Sequence, residues 1–133
     1  MQRAESTVTL VSSQRSSVMS NLRNMANAVK ACFELAGAEV IQNDGYPAWK
    51  MNADSELQRI AIQEYKKLFG HDPKVLGIHA GLECGLFSEK YPGIDMISFG
   101  PTLRFVHTPD ERLLIPTVQM VWDHMLAILR EID

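Results

Sequence analysis

The feature that most restricts the fold of this chain lies in its first forty residues or so. Residues 7–13 (T-V-T-L-V-S-S) alternate polar and apolar side chains and are rich in β-branched residues, the pattern of a half-covered strand. Val18, Leu22, Met25, Val29, Cys32, Phe33 and Ala36 then recur at steps of three and four. Ser16 or Ser17 stands ready to cap that run and Gly37 to stop it, so a long amphipathic helix is predicted. Residues 38–42 read as a second short strand. A β–α–β unit of this kind leaves its sheet edges unpaired, and open edges call for a partner. The sequence therefore predicts an α/β chain that is part of something larger.

Residues 43–47 (N-D-G-Y-P) are turn chemistry and residues 47–54 read as extended, which places a boundary near residue 50. The chain divides there into residues 1–50 and 51–133. Ser55 caps a second helix, with Gln58 at the answering position of a capping box. Its expected apolar face is Leu57, Ile60, Ala61, Tyr65 and Leu68, and Gly70 ends it. Residues 75–80, 95–99 and 102–106 read as further strands. Pro116 suits the first turn of a last helix, whose expected buried face is Val118, Val121, Trp122, Met125, Leu129 and Ile132.

Composition excludes several classes of function. With 46% apolar residues the chain can build a core, and its net charge of −3 with no basic run gives no footprint for nucleic acid or an anionic membrane. No apolar run approaches the length of a bilayer span, and residues 1–15 lack a signal-peptide core. Cys32 and Cys84 occupy unrelated contexts, so reduced thiols and a cytoplasmic setting are expected.

Reactive groups concentrate in residues 77–111, which hold closely spaced glycines, His79, Glu83, Cys84, His107, Asp110 and Glu111. Glycine admits close approach of backbone amides to a ligand, and His and Glu supply metal ligation and proton transfer. His107 reads either as a solvated loop histidine or as a metal ligand whose second nitrogen is oriented by Asp110 or a carbonyl. One imidazole does not make a zinc site, which needs three or four protein ligands. The chain has no His-x-Asp, Glu-Glu or HExxH segment. Gly81 and Gly85 form either an amide cradle for an anion or a tight turn. Arg15 either grips a carboxylate through its planar fork or is an ordinary surface cation. Cys84 reads as a structural thiol, and His71 and His124 as structural histidines.

Several of these stretches, in the same order, resemble the C-terminal signature of bacterial aminoacyl-histidine dipeptidases, members of the zinc aminopeptidase/carboxypeptidase superfamily. They are H-A-G-L-E-C-G-L-F (79–87), S-F-G-P-T (98–102) and H-T-P-D-E (107–111), together with Y-P-A-W-K (46–50) and D-S-E (54–56) upstream of them. The resemblance runs from about residue 7 to the end. It implies an α/β fold in which residues 1–50 are the second half of a ferredoxin-like lid, a β–α–β piece that makes a homodimer. Residues 51–133 are then the C-terminal part of an α/β zinc-peptidase catalytic domain. It implies a dipeptide substrate such as Xaa-His and two zinc ions in the intact enzyme, with cobalt or manganese as alternatives. His107 falls on the last metal ligand. His79, Gly81 and Glu83 fall in the loop lining the substrate pocket, and Arg15 lies near the lid arginine that holds the substrate carboxylate.

The remaining metal ligands and the catalytic glutamate of such enzymes belong to upstream segments absent from these 133 residues. No catalytic residue is therefore expected here, and the chain alone is expected to be inactive. Two competing readings are a non-catalytic module that binds a small anion or mediates oligomerisation, and a hydrolase built on Cys84.

Overall fold

The computed structural model describes residues 7–43, 45–79 and 83–132. Its elements are, in order, helix α1 (Met19–Leu35), α2 (Glu56–Phe69), α3 (Glu83–Lys90), strand β1 (Leu103–Arg104), strand β2 (Arg112–Leu113) and helix α4 (Pro116–Glu131). Helices with one small sheet make the chain compatible with the α/β class.

Helix α2 is specified locally at both ends. The Ser55 hydroxyl accepts from the Gln58 amide at 2.9 Å, and Gly70 closes the helix in the left-handed conformation (φ 75°). Glu56 lies in the first turn and Lys66 and Lys67 in the last, each matching the sign of the helix dipole. A second carboxylate reinforces the start: Asp95, far along the chain, accepts from the Leu57 amide at 2.9 Å.

The core forms where α2 meets α4. Ala61, Ala127 and Ile128 are buried there together with Ser55, Glu64 and His124. His124 Nε2 donates to the Ala61 carbonyl at 2.8 Å, tying the two helices through a side chain. The rings of Tyr65 and Phe99 pack on the same imidazole, with centroids 5.3 and 5.0 Å away. Phe99 thereby brings the segment 95–99 onto α4.

Several expectations are corrected. The face of α4 that meets α2 carries His124, Ala127 and Ile128, whereas Val118, Trp122, Leu129 and Ile132 are exposed. The helix is apolar nearly all round, so periodicity alone does not select the face that α2 covers. On α2, Leu68 is likewise exposed and Glu64, paired with Lys67, is buried. Helix α1 starts at Met19 with Val18 as its N-cap and no side-chain cap, the Ser16 hydroxyl instead accepting from the Val18 amide at 3.1 Å.

Residues 7–13, 38–42, 75–79 and 95–99 form no ladder among the described residues, where the sheet consists of β1 and β2 alone. A strand exists only against a neighbour, and alternation supplies the face but not the neighbour. The consequence is a large uncovered apolar surface, with Val8 81%, Val11 93%, Ile41 78% and Leu76 74% exposed. A compact monomer of 15.0 kDa exposes roughly 7,000 Å², whereas this chain exposes 11222 Å².

Candidate functional site

His107 sits in the loop joining β1 to β2, which pair antiparallel with Leu103 opposite Leu113 and Arg104 opposite Arg112. The strand expected over 102–106 is reduced to Leu103 and Arg104, and its partner lies outside the expected elements. The loop is tightly bonded to itself. The Phe105 carbonyl accepts from the Thr108 hydroxyl at 2.7 Å and from its amide at 3.2 Å. The Glu111 amide donates to the Thr108 carbonyl at 3.1 Å, and the His107 amide donates to Glu111 Oε2 at 2.8 Å.

Within this lattice Phe105 and His107 hold φ of 54° and 65°. Left-handed backbone at a residue with a side chain costs on the order of 1 kcal/mol or more. The loop retains it at two positions because the surrounding bonds over-determine the turn. The backbone of His107 is therefore fixed while its imidazole is exposed and makes no hydrogen bond among the described residues. The expected orienting role of Asp110 is not realised; its neighbour Glu111 engages the backbone amide rather than the ring. No group of three His, Cys, Asp or Glu side chains converges among the described residues. What His107 offers fits one coordination position of a divalent cation.

The glycine-rich stretch differs from expectation. Gly81 lies outside the described residues. Glu83 is not in a loop but opens α3, on which Cys84 is half-buried. Gly85 belongs neither to a cradle nor to a tight turn: it is a buried helical residue pressed against Pro47. A β-carbon there would stand 2.3 Å from the Pro47 carbonyl oxygen. Glycine is needed for that close approach, which brings the Y-P-A-W-K stretch onto α3. Cys32 and Cys84 are both free thiols.

His79 makes a long-range contact that sequence reasoning had no means to find. Its Nδ1 accepts from the Ser17 amide at 3.0 Å, across 62 residues of chain. Accepting at Nδ1 places the ring proton on Nε2. Arg15 lines an open cleft of about 860 Å³ with Ser12, Ser13, Gln42 and Asn43, and Arg23 from α1 reaches the same cleft. Neither arginine has a carboxylate partner among the ion pairs of the described residues. A second cleft of about 400 Å³ is apolar and lies between α2 and the segments 75–78 and 96–99.

Asp95 carries no local signal in the sequence that marks it as a helix cap. The Ser55 hydroxyl holds its carboxyl below the usual carboxylate range; burial opposes this, and the amides of Leu57, Met96 and Glu56 add to the lowering. Its Oδ1 is buried without a partner among the described residues.

No family model matches the chain. Among solved structures it overlays the aminoacylhistidine dipeptidase of Vibrio alginolyticus with a TM-score of 0.71 and 47% identity, over 89% of this chain and 24% of that one. This chain is similar to one part of the aminoacylhistidine dipeptidases. A cytosol non-specific dipeptidase of Escherichia coli (strain K12) agrees, at 41% identity over 99 residues, 74% of this chain and 20% of that protein. The chain thus spans about a fifth to a quarter of the length of the dipeptidases it matches. No helix among the described residues is long and apolar enough to cross a membrane.

Proposed function

We propose that this chain is the C-terminal part of a metal-dependent dipeptidase that hydrolyses Xaa-His and other dipeptides. Residues 1–50 are the second half of its lid, through which it forms a homodimer, and residues 51–133 the end of its catalytic domain. The single observation that carries this reading is the overlay on a solved aminoacylhistidine dipeptidase at 47% identity across 89% of the chain. The exposed apolar surface of 7–13, 38–42 and 75–79 supports it, because a dipeptidase about four times as long has the chain with which to cover it.

His107 would contribute one ligand to a divalent cation, zinc in the first instance, and its immobilised backbone holds the imidazole ready for that role. When bound, such a cation supplies Lewis acidity toward a peptide carbonyl and an acidified water. Arg15 would pair with the carboxylate of a dipeptide through its planar guanidinium. Gly81, Glu83 and His79 would line the substrate pocket, and His79, with its proton on Nε2, would face a ligand as a hydrogen-bond donor rather than as a base. One ligand does not hold a catalytic cation, so the chain alone is silent.

The test is hydrolysis of a Xaa-His dipeptide with added zinc or cobalt, for the chain alone and mixed with the upstream part of the Vibrio alginolyticus enzyme. Activity only in the mixture is the expected result. Inertness in both, with a stable oligomer, would favour the second reading, a non-catalytic anion-binding or assembly module. The two arginines of the polar cleft, which have no ion-pair partner among the described residues, are what recommend that alternative. Loss of an intrinsic activity on Cys84 alkylation would instead point to a thiol hydrolase.

A further inference from the structure

We infer that His79 is a positioning residue: its Nδ1 ties the glycine-rich segment to the entry of α1 and thereby fixes where Arg15 stands. The inference deepens the reading of Arg15 given above and adds to the lining role of His79, carried by Nε2, a second role carried by Nδ1.

Helix α1 is poorly anchored by its own sequence. Its N-cap is Val18, which has no side-chain cap to offer, and no acidic residue lies in its first turn. The one local device, the Ser16 hydroxyl, is used on the Val18 amide. The preceding amide, that of Ser17, is satisfied by an acceptor 62 residues away, the imidazole of His79, at 3.0 Å. Amides at a helix entry need acceptors from outside the helix, and one supplied by a distant segment also fixes the approach of the chain to that segment.

The position of this bond matters because of what stands on either side. Ser16 lines the polar cleft that holds Arg15 and Arg23, and Ser17 lines the apolar cleft beside α2. The bond therefore sits in the wall between the two. Arg15 is two residues before the tethered amide, and Arg23 is one turn inside the tethered helix. Release of Ser17 would free both guanidinium groups relative to residues 77–79. A second contact between the two parts of the chain, Gly85 against Pro47, holds the other end of residues 1–50.

Isosteric replacement separates this role from general support. Asparagine places an amide oxygen near the position of Nδ1, and glutamine reaches instead to that of Nε2. Amide hydrogen exchange is measured at Ser17 in the 133-residue chain, alongside the chemical shift of the Arg15 Nε–H. In His79→Gln the Ser17 amide is expected to exchange about five- to tenfold faster, the loss of one modest hydrogen bond, with the Arg15 resonance moving toward its value in a disordered chain. In His79→Asn both readouts stay near those of the parent. The imidazole nitrogens of the parent should show a bare Nδ1 and a protonated Nε2. Equal effects of Asn and Gln, an unchanged Ser17 amide in His79→Gln, an Arg15 resonance indifferent to both, or the opposite tautomer would each overturn the inference. Because no dipeptide or metal enters the measurement, its failure is distinct from failure of the dipeptidase reading.

Discussion

The pair α2 and α4 and the segments 7–13, 38–42 and 75–79 are drawn from the same kind of apolar sequence, yet only the first builds a core. The helices satisfy their backbone internally and need a neighbour on one face only. Caps at Ser55 and Gly70 and the proline at the start of α4 fix their ends, so they meet wherever α2 and α4 are both present. The segments satisfy nothing internally. They have no ladder partner among the described residues, and side chains such as Val11 and Leu76 stay exposed. A helix pair travels with its sequence, whereas a sheet is held in common by distant parts of a chain.

If that contrast is right, the largest loss of stability should come from the core of the helix pair. Ile128→Ala, at a position 4% exposed, is expected to cost about 2–4 kcal/mol in chemical denaturation. A cost below about 1 kcal/mol would mean that α2 and α4 do not carry the fold. Gly85→Ala should come next, at about 2 kcal/mol, because the new methyl meets the rigid backbone of Pro47. Unchanged stability together with unchanged protection around Pro47 would remove that contact from the account.

Asp95→Asn should cost about 1 kcal/mol, read as earlier melting of α2, since it removes a charge from the helix start. The pH dependence follows from the sign of the shift. The folded carboxyl titrates below the ordinary value of 3.8. Its contribution is therefore fully present above pH 3.8 and is lost as the pH falls through the lower folded value. Between those two values the parent should lose stability on acidification more steeply than Asp95→Asn. The smallest effect belongs to Val11→Ser, 93% exposed, which should leave the stability of this chain within about 0.5 kcal/mol. A loss above about 1 kcal/mol would show that residues 7–13 already pack on something.

What could be read beforehand follows the same divide. Ser55, Gly70 and Pro116 announced helix ends because capping is a property of a few adjacent residues. The inward face of α4 is not legible in the sequence, because nearly every face of that helix is apolar and only α2 chooses among them. Helix α3 was hidden by Gly85, which reads as a loop residue until its contact with Pro47 explains it. Strand β2 was hidden by its length of two residues. At the site, His107 was legible as a non-helical histidine beside turn residues, but its left-handed backbone and the Glu111 bond were not. The His79–Ser17 bond and the Asp95 cap join residues 62 and 38 positions apart, and no local pattern encodes such pairings.

The central claim is that the imidazole of His107 is one ligand of a cation whose other ligands come from elsewhere. Its most direct test is the metal content of the chain reassembled with the upstream part of a dipeptidase, before and after His107→Ala. The account predicts that the substitution releases bound zinc and abolishes hydrolysis of a Xaa-His dipeptide, with the assembly itself intact. Undiminished zinc content and turnover in the substituted assembly would contradict it.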